Sequence, residues 1–267
     1  MQNKFKNKHD LEQINVRVER FDPQSKKFYK REYTINADRF STVLSALLYI
    51  KERLDPTLSI RYSCRMGICG SCAMVINGKP SLACETNLLR ESKNNKTIVV
   101  GPLRGFPLLR DLVTDFDEFF NKHKSVKPWL VTSDADEQFD PKKEYPQTPY
   151  ERDTFLPFSE CIKCGLCVDA CPVTNTNKEF VGPQALGQAY RYIKDSRDTN
   201  RQERLAIIDT LNGVWGCDFV GACSVVCPKS VDPALAIQML KAEISKHALL
   251  GKKPAQTEEN KVETSST

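Results

Sequence analysis

Four cysteines fall within eleven residues, at Cys161, Cys164, Cys167 and Cys171, and Pro172 closes the run. The spacing C-x2-C-x2-C-x3-C-P lets three thiolates hold one iron-sulfur cluster while the fourth reaches a different cluster. One such run demands a second. Cys217, Cys223, Cys227 and Pro228 supply it, with Val220 standing where a further thiolate is due. Cross-ligation groups Cys161, Cys164, Cys167 and Cys227 as a four-thiolate set suited to a cubane [4Fe-4S] cluster. Cys171, Cys217 and Cys223 remain, and three thiolates facing the apolar Val220 most simply hold a [3Fe-4S] cluster.

A third set lies upstream, where Cys64-x4-Cys69-x2-Cys72 is followed after eleven residues by Cys84. That spacing suits a [2Fe-2S] cluster. Gly67, Gly70 and Ser71 between the ligands are small, so backbone N–H groups can approach the sulfurs. The competing reading is structural zinc, since C-x2-C pairs often hold one tetrahedral ion. Zinc ribbons present two pairs separated by a loop, whereas here four cysteines crowd one short run, and the clusters are favoured. His9, His123 and His247 lie far in sequence from every cysteine run, which argues against a Rieske site. Arg61 and Arg65 give the first loop a positive rim that could receive a partner.

Elements must position these ligands. Residues 14–21 alternate apolar and polar, 28–35 do so more weakly, and Asp22-Pro23 with Ser25 between them read as a turn between strands. From Ser41 the period changes to helical, with Val43, Leu47, Ile50 and Leu54 on one face, Leu44 and Leu48 beside them, and Pro56 as the stop. Strands resume at 73–76, ending in Asn77-Gly78, and at 97–100. Residues 108–122 recur at helical spacing through Leu109, Leu112, Val113, Phe116, Phe119 and Phe120, and predict a core-facing helix. A proline-rich segment, 123–158, reads as a connector laid over the surface. Helices are expected at 183–191 and 202–211, with Leu186, Tyr190, Leu205, Ile208 and Leu211 toward the core, and at 234–247 with Leu235, Ile237, Leu240 and Ile244. Residues 251–267 are polar and patternless, and read as a disordered tail.

The expected fold class is therefore α+β. A plant-type [2Fe-2S] ferredoxin domain of β-grasp form spans 12–122, and an all-α, bacterial-ferredoxin-like domain spans 159–250. At 267 residues the chain is long enough for two cores. Eleven cysteines suggest disulfides only in a short secreted protein, but the N-terminus is polar and lacks the apolar core of a signal peptide, so reduced, metal-bound thiols are expected. No apolar run is long enough to span a membrane. The formal charge of +5 arises from residues 1–53, with twelve Lys/Arg against seven Asp/Glu. Acids interleave with the bases and no nucleic-acid motif accompanies them, so a protein partner rather than nucleic acid is expected.

A plant-type half followed by a bacterial-type half with one ligand missing resembles the iron-sulfur subunit of succinate dehydrogenase/fumarate reductase, over roughly residues 12–250. The resemblance rests on Arg61-Tyr-Ser-Cys-Arg-Met-Gly-Ile-Cys-Gly-Ser-Cys72, the Cys161 run, Asp195-Ser-Arg-Asp198, the stretch Asn212 to Cys223, and Cys227-Pro-Lys229. It implies a relay from the FAD of a flavoprotein subunit through [2Fe-2S], [4Fe-4S] and [3Fe-4S] clusters to a membrane quinone held with hydrophobic anchor subunits. It places Pro172, Thr176, Asp218, Gln238 and Lys241 near the quinone, and Thr176 stands where ubiquinone-type dehydrogenases of this family usually carry tryptophan. It further implies a peripheral subunit on the cytoplasmic side of the plasma membrane, or on the matrix side of the mitochondrial inner membrane. No catalytic acid, base or nucleophile is expected. Two rivals are an iron-sulfur subunit of another flavin-linked reductase, which would carry an additional cysteine-rich domain, and a zinc-stapled interaction protein.

Overall fold

Alternation at the N-terminus produces two long antiparallel strands, β1 (Glu12–Asp22) and β2 (Lys27–Ala37), in a computed structural model that describes residues 11–132 and 144–249. Ile14, Val16 and Val18 turn inward. Helix α1 (Val43–Tyr49) follows, opened by Thr42 and Ser45, whose side chains cap each other's backbone N–H. It continues as a π-helical turn over Ile50–Leu54, and the change of winding leaves Leu54 exposed instead of on the buried stripe. Strands β3 (Ala73–Ile76) and β4 (Lys79–Leu82) form a tight hairpin. Asn77 and Gly78 take φ of 48° and 80°, the paired positive values of its two-residue turn. A short helix, α2 (Leu88–Ser92), leads into β5 (Thr97–Gly101). Strand β5 pairs parallel with β1 and antiparallel with β3, giving the order β2-β1-β5-β3-β4 with α1 contributing Val43, Leu44 and Leu47 to its core. This is the expected β-grasp sheet.

The helix expected over 108–122 begins only at its end. Residues 108–114 are a small hairpin, β6 (Leu108–Arg110) and β7 (Val113–Thr114), and the helix is α3 (Asp117–Ser125). Asp111 breaks the helical path: it sits at φ 49° and is 1 % exposed. Its carboxylate accepts from Arg20 Nε at 2.9 Å, Arg20 Nη2 at 2.8 Å and the Ser59 N–H at 2.8 Å. Leu109 and Phe120, expected in the core, are exposed, whereas Leu112 and Phe119 are buried.

Part of the expected connector is also regular. Helix α4 (Pro149–Ser159) starts at a Thr148–Glu151 capping box and buries Phe155 and Phe158. Residues 133–143 of that segment, and the tail 251–267, lie outside the described residues. The remainder is helical: α5 (Leu166–Asp169), α6 (Pro172–Thr176), α7 (Pro183–Ile193), α8 (Arg201–Ile208), α9 (Ala222–Val225) and α10 (Pro233–Leu249). Leu186, Tyr190, Leu205, Ile208, Ile237, Leu240 and Ile244 form one core, as anticipated. Leu211 does not join it; α8 stops at Ile208, and Leu211 is 84 % exposed in the turn beyond. Leu235, in the first turn of α10, is exposed too.

The two halves share buried contacts. Cys164 and Leu166 are buried in the same cluster as the β-grasp core, and Ile162 and Val168 pack against it. The Gly105 N–H donates to Asp169 Oδ1 at 2.7 Å, adding a polar tie. Among the described residues, no helix is long and apolar enough to cross a membrane.

Candidate iron-sulfur centres

The first cysteine set is assembled by the hairpin and by α1. Cys72 directly precedes β3 and Cys84 follows β4, and the register Ala73 opposite Leu82 holds the two cysteines near each other. The Ala83 N–H donates to the Cys72 carbonyl at 3.1 Å. Backbone N–H groups of Val43 and Leu44, at the start of α1, donate to the carbonyls of Thr86 and Ala83, which fixes the loop carrying Cys84. Cys64 and Cys69 come from the loop before β3. Its backbone wraps the sulfurs: the N–H groups of Met66, Ile68 and Cys69 lie 3.4, 3.3 and 3.2 Å from Cys64 Sγ, and that of Gly67 lies 3.3 Å from Cys84 Sγ. Such donors stabilise thiolate charge, and they are what a [2Fe-2S] loop requires. Burial pushes the Cys69 thiol up, but hydrogen bonds from Ser71 and the Cys64 backbone outweigh it and bring the value down to about 6. Burial, together with the neighbouring Cys84, raises Cys72 to about 12.

Arg61 and Arg65, read as a docking rim, divide in role. Arg61 donates to the Thr114 carbonyl at 3.0 Å and lies over the Phe116 ring, so it braces the loop against β7. Arg65 is exposed beside Tyr62, next to the exposed Met66 and Ile68.

The two later runs fold alike. Lys163 and Phe219 take φ of 56° and 55°, and Gly165 and Gly221 take 81° and 78° before the short helices α5 and α9. Cys164 and Val220 occupy the equivalent position between them. Cys161, Cys164, Cys167 and Cys227 line one cavity of about 450 Å³, part of it open to solvent, together with Pro183, Gln184 and Gln188 of α7 and Pro233 of α10. Cys171, Cys217 and Cys223 line a second, of about 340 Å³, with Val220, Ala234 and Ile237. The first residue of α7, Pro183, borders both.

The donor sets fit a polynuclear iron core. Burial raises Cys164 and Cys223 to about 11, and the charges of neighbouring cysteines add to it. Cys167 and Cys227 are pushed up for the same reasons. Convergent thiolates with mutually raised values hold their charge only around a strongly cationic centre.

Of the quinone-proximal candidates, two line the cavity of Cys171, Cys217 and Cys223 and a third touches its loop. Pro172 and Asp218 line it and are exposed. Lys241 Nζ donates to the Cys217 carbonyl at 2.8 Å, so it braces the loop that bears that ligand. Gln238 Nε2 is buried without a protein partner. Thr176 Oγ1 donates within its own helix, to the carbonyls of Pro172 and Val173 at 3.1 and 3.2 Å.

Sequence reasoning missed two features. Gly70, at φ 72°, lies against the second half: an added Cβ would stand 2.8 Å from Cys164 Cβ and 3.0 Å from its Cα. Gln184 Nε2 lies 3.9 Å from Cys161 Sγ and 3.2 Å from Nδ1 of the buried His123. The one signal in sequence was a pair of glutamines, Gln184 and Gln188, one turn apart on a helix buried all round.

Residues 15–121 match the family described as "2Fe-2S iron-sulfur cluster binding domain", and residues 157–231 match "4Fe-4S dicluster domain". The chain is 45 % identical over 240 residues to the fumarate reductase iron-sulfur subunit of Mycobacterium tuberculosis, covering 90 % of this chain and 96 % of that one. It is 38 % identical over 231 residues to the succinate dehydrogenase iron-sulfur subunit of Coxiella burnetii, covering 85 % and 95 %. A solved structure, the Mycobacterium smegmatis Sdh1 complex in the apo form, contains a chain that aligns with a TM-score of 0.80 at 26 % identity, over 90 % of this chain and 98 % of that one. Two cluster-binding domains in this order, and such identity along nearly the full length, place the chain in the family of iron-sulfur subunits of succinate dehydrogenases and fumarate reductases, where it is the electron-transfer component of an oxidoreductase.

Proposed function

We propose that this chain carries electrons between the FAD of a flavoprotein subunit and a membrane quinone, through three clusters held in line. The observation that carries the reading is the arrangement of the cysteines. The loop of Cys64, Cys69, Cys72 and Cys84 packs at Gly70 against Cys164 of the next set, and that set shares Pro183 with the cavity of Cys171, Cys217 and Cys223. When bound, the clusters supply reversible one-electron storage; the protein fixes their order and tunes each through ligand number, hydrogen bonds and burial. The third site holds a [3Fe-4S] cluster because Val220 offers no thiolate.

Each end of the line has an apolar surface suited to a different partner. Met66 and Ile68 are exposed beside the first site, the surface for the flavoprotein. Phe219, Val220, Val225, Leu235 and Met239 are exposed around the third, the surface for hydrophobic anchor subunits. Gln238, Lys241, Asp218, Pro172 and Thr176 adjoin that surface and are the residues nearest the quinone. The subunit is peripheral, on the cytoplasmic or matrix side of its membrane.

Co-purification of the tagged chain from native membranes, with iron and flavin analysis, tests the reading. The expected result is a complex with a flavoprotein, hydrophobic anchors, about nine irons per chain and almost no zinc. An iron-free chain recovered alone would end it.

A further inference from the structure

Helix α7 enters the cavity of the four-cysteine set with a polar side chain that the ligand pattern does not require. Gln184 is 3 % exposed, lies in the first turn of α7 and lines the cavity of Cys161, Cys164, Cys167 and Cys227. Gln188, one turn on, has its amide nitrogen committed to the Phe158 carbonyl at 2.9 Å. The Gln184 amide nitrogen instead lies between His123 Nδ1, at 3.2 Å, and Cys161 Sγ, at 3.9 Å. Its Oε1 is buried with no protein partner. A primary amide has two N–H donors, and this geometry uses both: one on the imidazole, one aimed at the sulfur.

We propose that Gln184 is a positioning residue for the second cluster: fixed by His123, it donates a hydrogen bond to the sulfur of Cys161 and thereby raises that cluster's reduction potential. The inference rests on the ligand assignment above. Three physical points support it. With the amide nitrogen as donor, the imidazole accepts at Nδ1 as the neutral Nε2–H tautomer, and burial followed by the charge of Lys163 holds His123 down to about 4. An amide reversed in place would direct Oε1 at the sulfur, where two electron-rich atoms repel. Reduction adds negative charge that spreads over the ligand sulfurs, so a donor there stabilises the reduced form more than the oxidised one.

The test is redox titration of the assembled complex, following the paramagnetic signal of each cluster, in Gln184→Leu and Gln184→Met. The expected result is a threefold to tenfold fall in the equilibrium constant for reducing the four-iron cluster, about the net worth of one ordinary hydrogen bond. At 59 mV per decade for a one-electron couple, this reads as a drop of about 30 to 60 mV. The other two potentials should stay where they are. His123→Leu should produce a smaller shift of the same sign that vanishes in the Gln184→Leu background, because it acts through the amide. An unmoved potential in variants with full iron content and three intact signals would overturn the proposal, as would an equal shift in all three clusters. Loss of all cluster signals from the unmutated complex would instead overturn the ligand assignment. Should the leucine variant fail to assemble, Gln184→Met and His123→Leu carry the same readout.

Discussion

In the proposed relay, the chemistry of the third site turns on one side chain, Val220. It holds the position that Cys164 holds in the other run, flanked by the same pair of positive-φ residues, and it is 62 % exposed, so nothing packs against it that a thiol would disturb. Val220→Cys is therefore expected to convert the proposed three-iron site to four irons, read as one additional iron per chain and loss of the oxidised-state [3Fe-4S] signal. Persistence of that signal would count against the ligand map. Cysteine spacing could be read in the sequence because the members of each run stand a few residues apart, although the proposed sets exchange one ligand between the runs. Gln184 and His123 are 61 positions apart, and only the packing of α3 on α7 joins them, so no local pattern could have named the pair.

At the scale of elements, the strands were readable from alternation and from Asn77-Gly78, whereas recurrence at helical spacing misled over 108–122. The cause is Asp111, whose turn is held from a distance by Arg20 on β1. The Arg20 guanidinium also reaches Asp55 Oδ2 at 2.8 Å, so one buried cation binds β1, the end of the π-turn and the β6–β7 hairpin. Arg20→Met leaves the buried Asp111 without its cation and Asp55 with the exposed Arg31 alone, and should cost about 3–5 kcal/mol by denaturant titration. Helix α4 was missed because its prolines suggested a linker, although Thr148-x-x-Glu151 was a readable start signal. The contact of α3 with α7 predicts a pH effect. His123 titrates near 4 when folded and near 6.5 when unfolded, so between these values the unfolded chain binds more protons. Its contribution to stability is complete above pH 6.5 and declines as pH falls toward 4. His123→Leu should flatten that part of the stability-versus-pH profile, and an unchanged slope would refute the assignment.

The whole molecule behaves as one unit because the second half completes the core of the first. Cys164 and Leu166 are buried among residues of the β-grasp sheet and α1, and Asp169 accepts from the Gly105 backbone. Residues 145–249 expressed alone should therefore load iron poorly and regain full loading when co-expressed with residues 11–132; full loading of the isolated piece would show that the halves are independent. This shared core was not legible in sequence, since residues that alternate or recur for one neighbour carry no mark of the other. The contact at Gly70 has a further consequence. Electron tunnelling between adjacent centres weakens exponentially with the gap, and with clusters seated in these sites the gap between the first two is bounded by bare backbone against Cys164. A methyl group at that point would wedge the loops apart and lengthen that gap, so a residue that ligates nothing sets how closely the two sites approach.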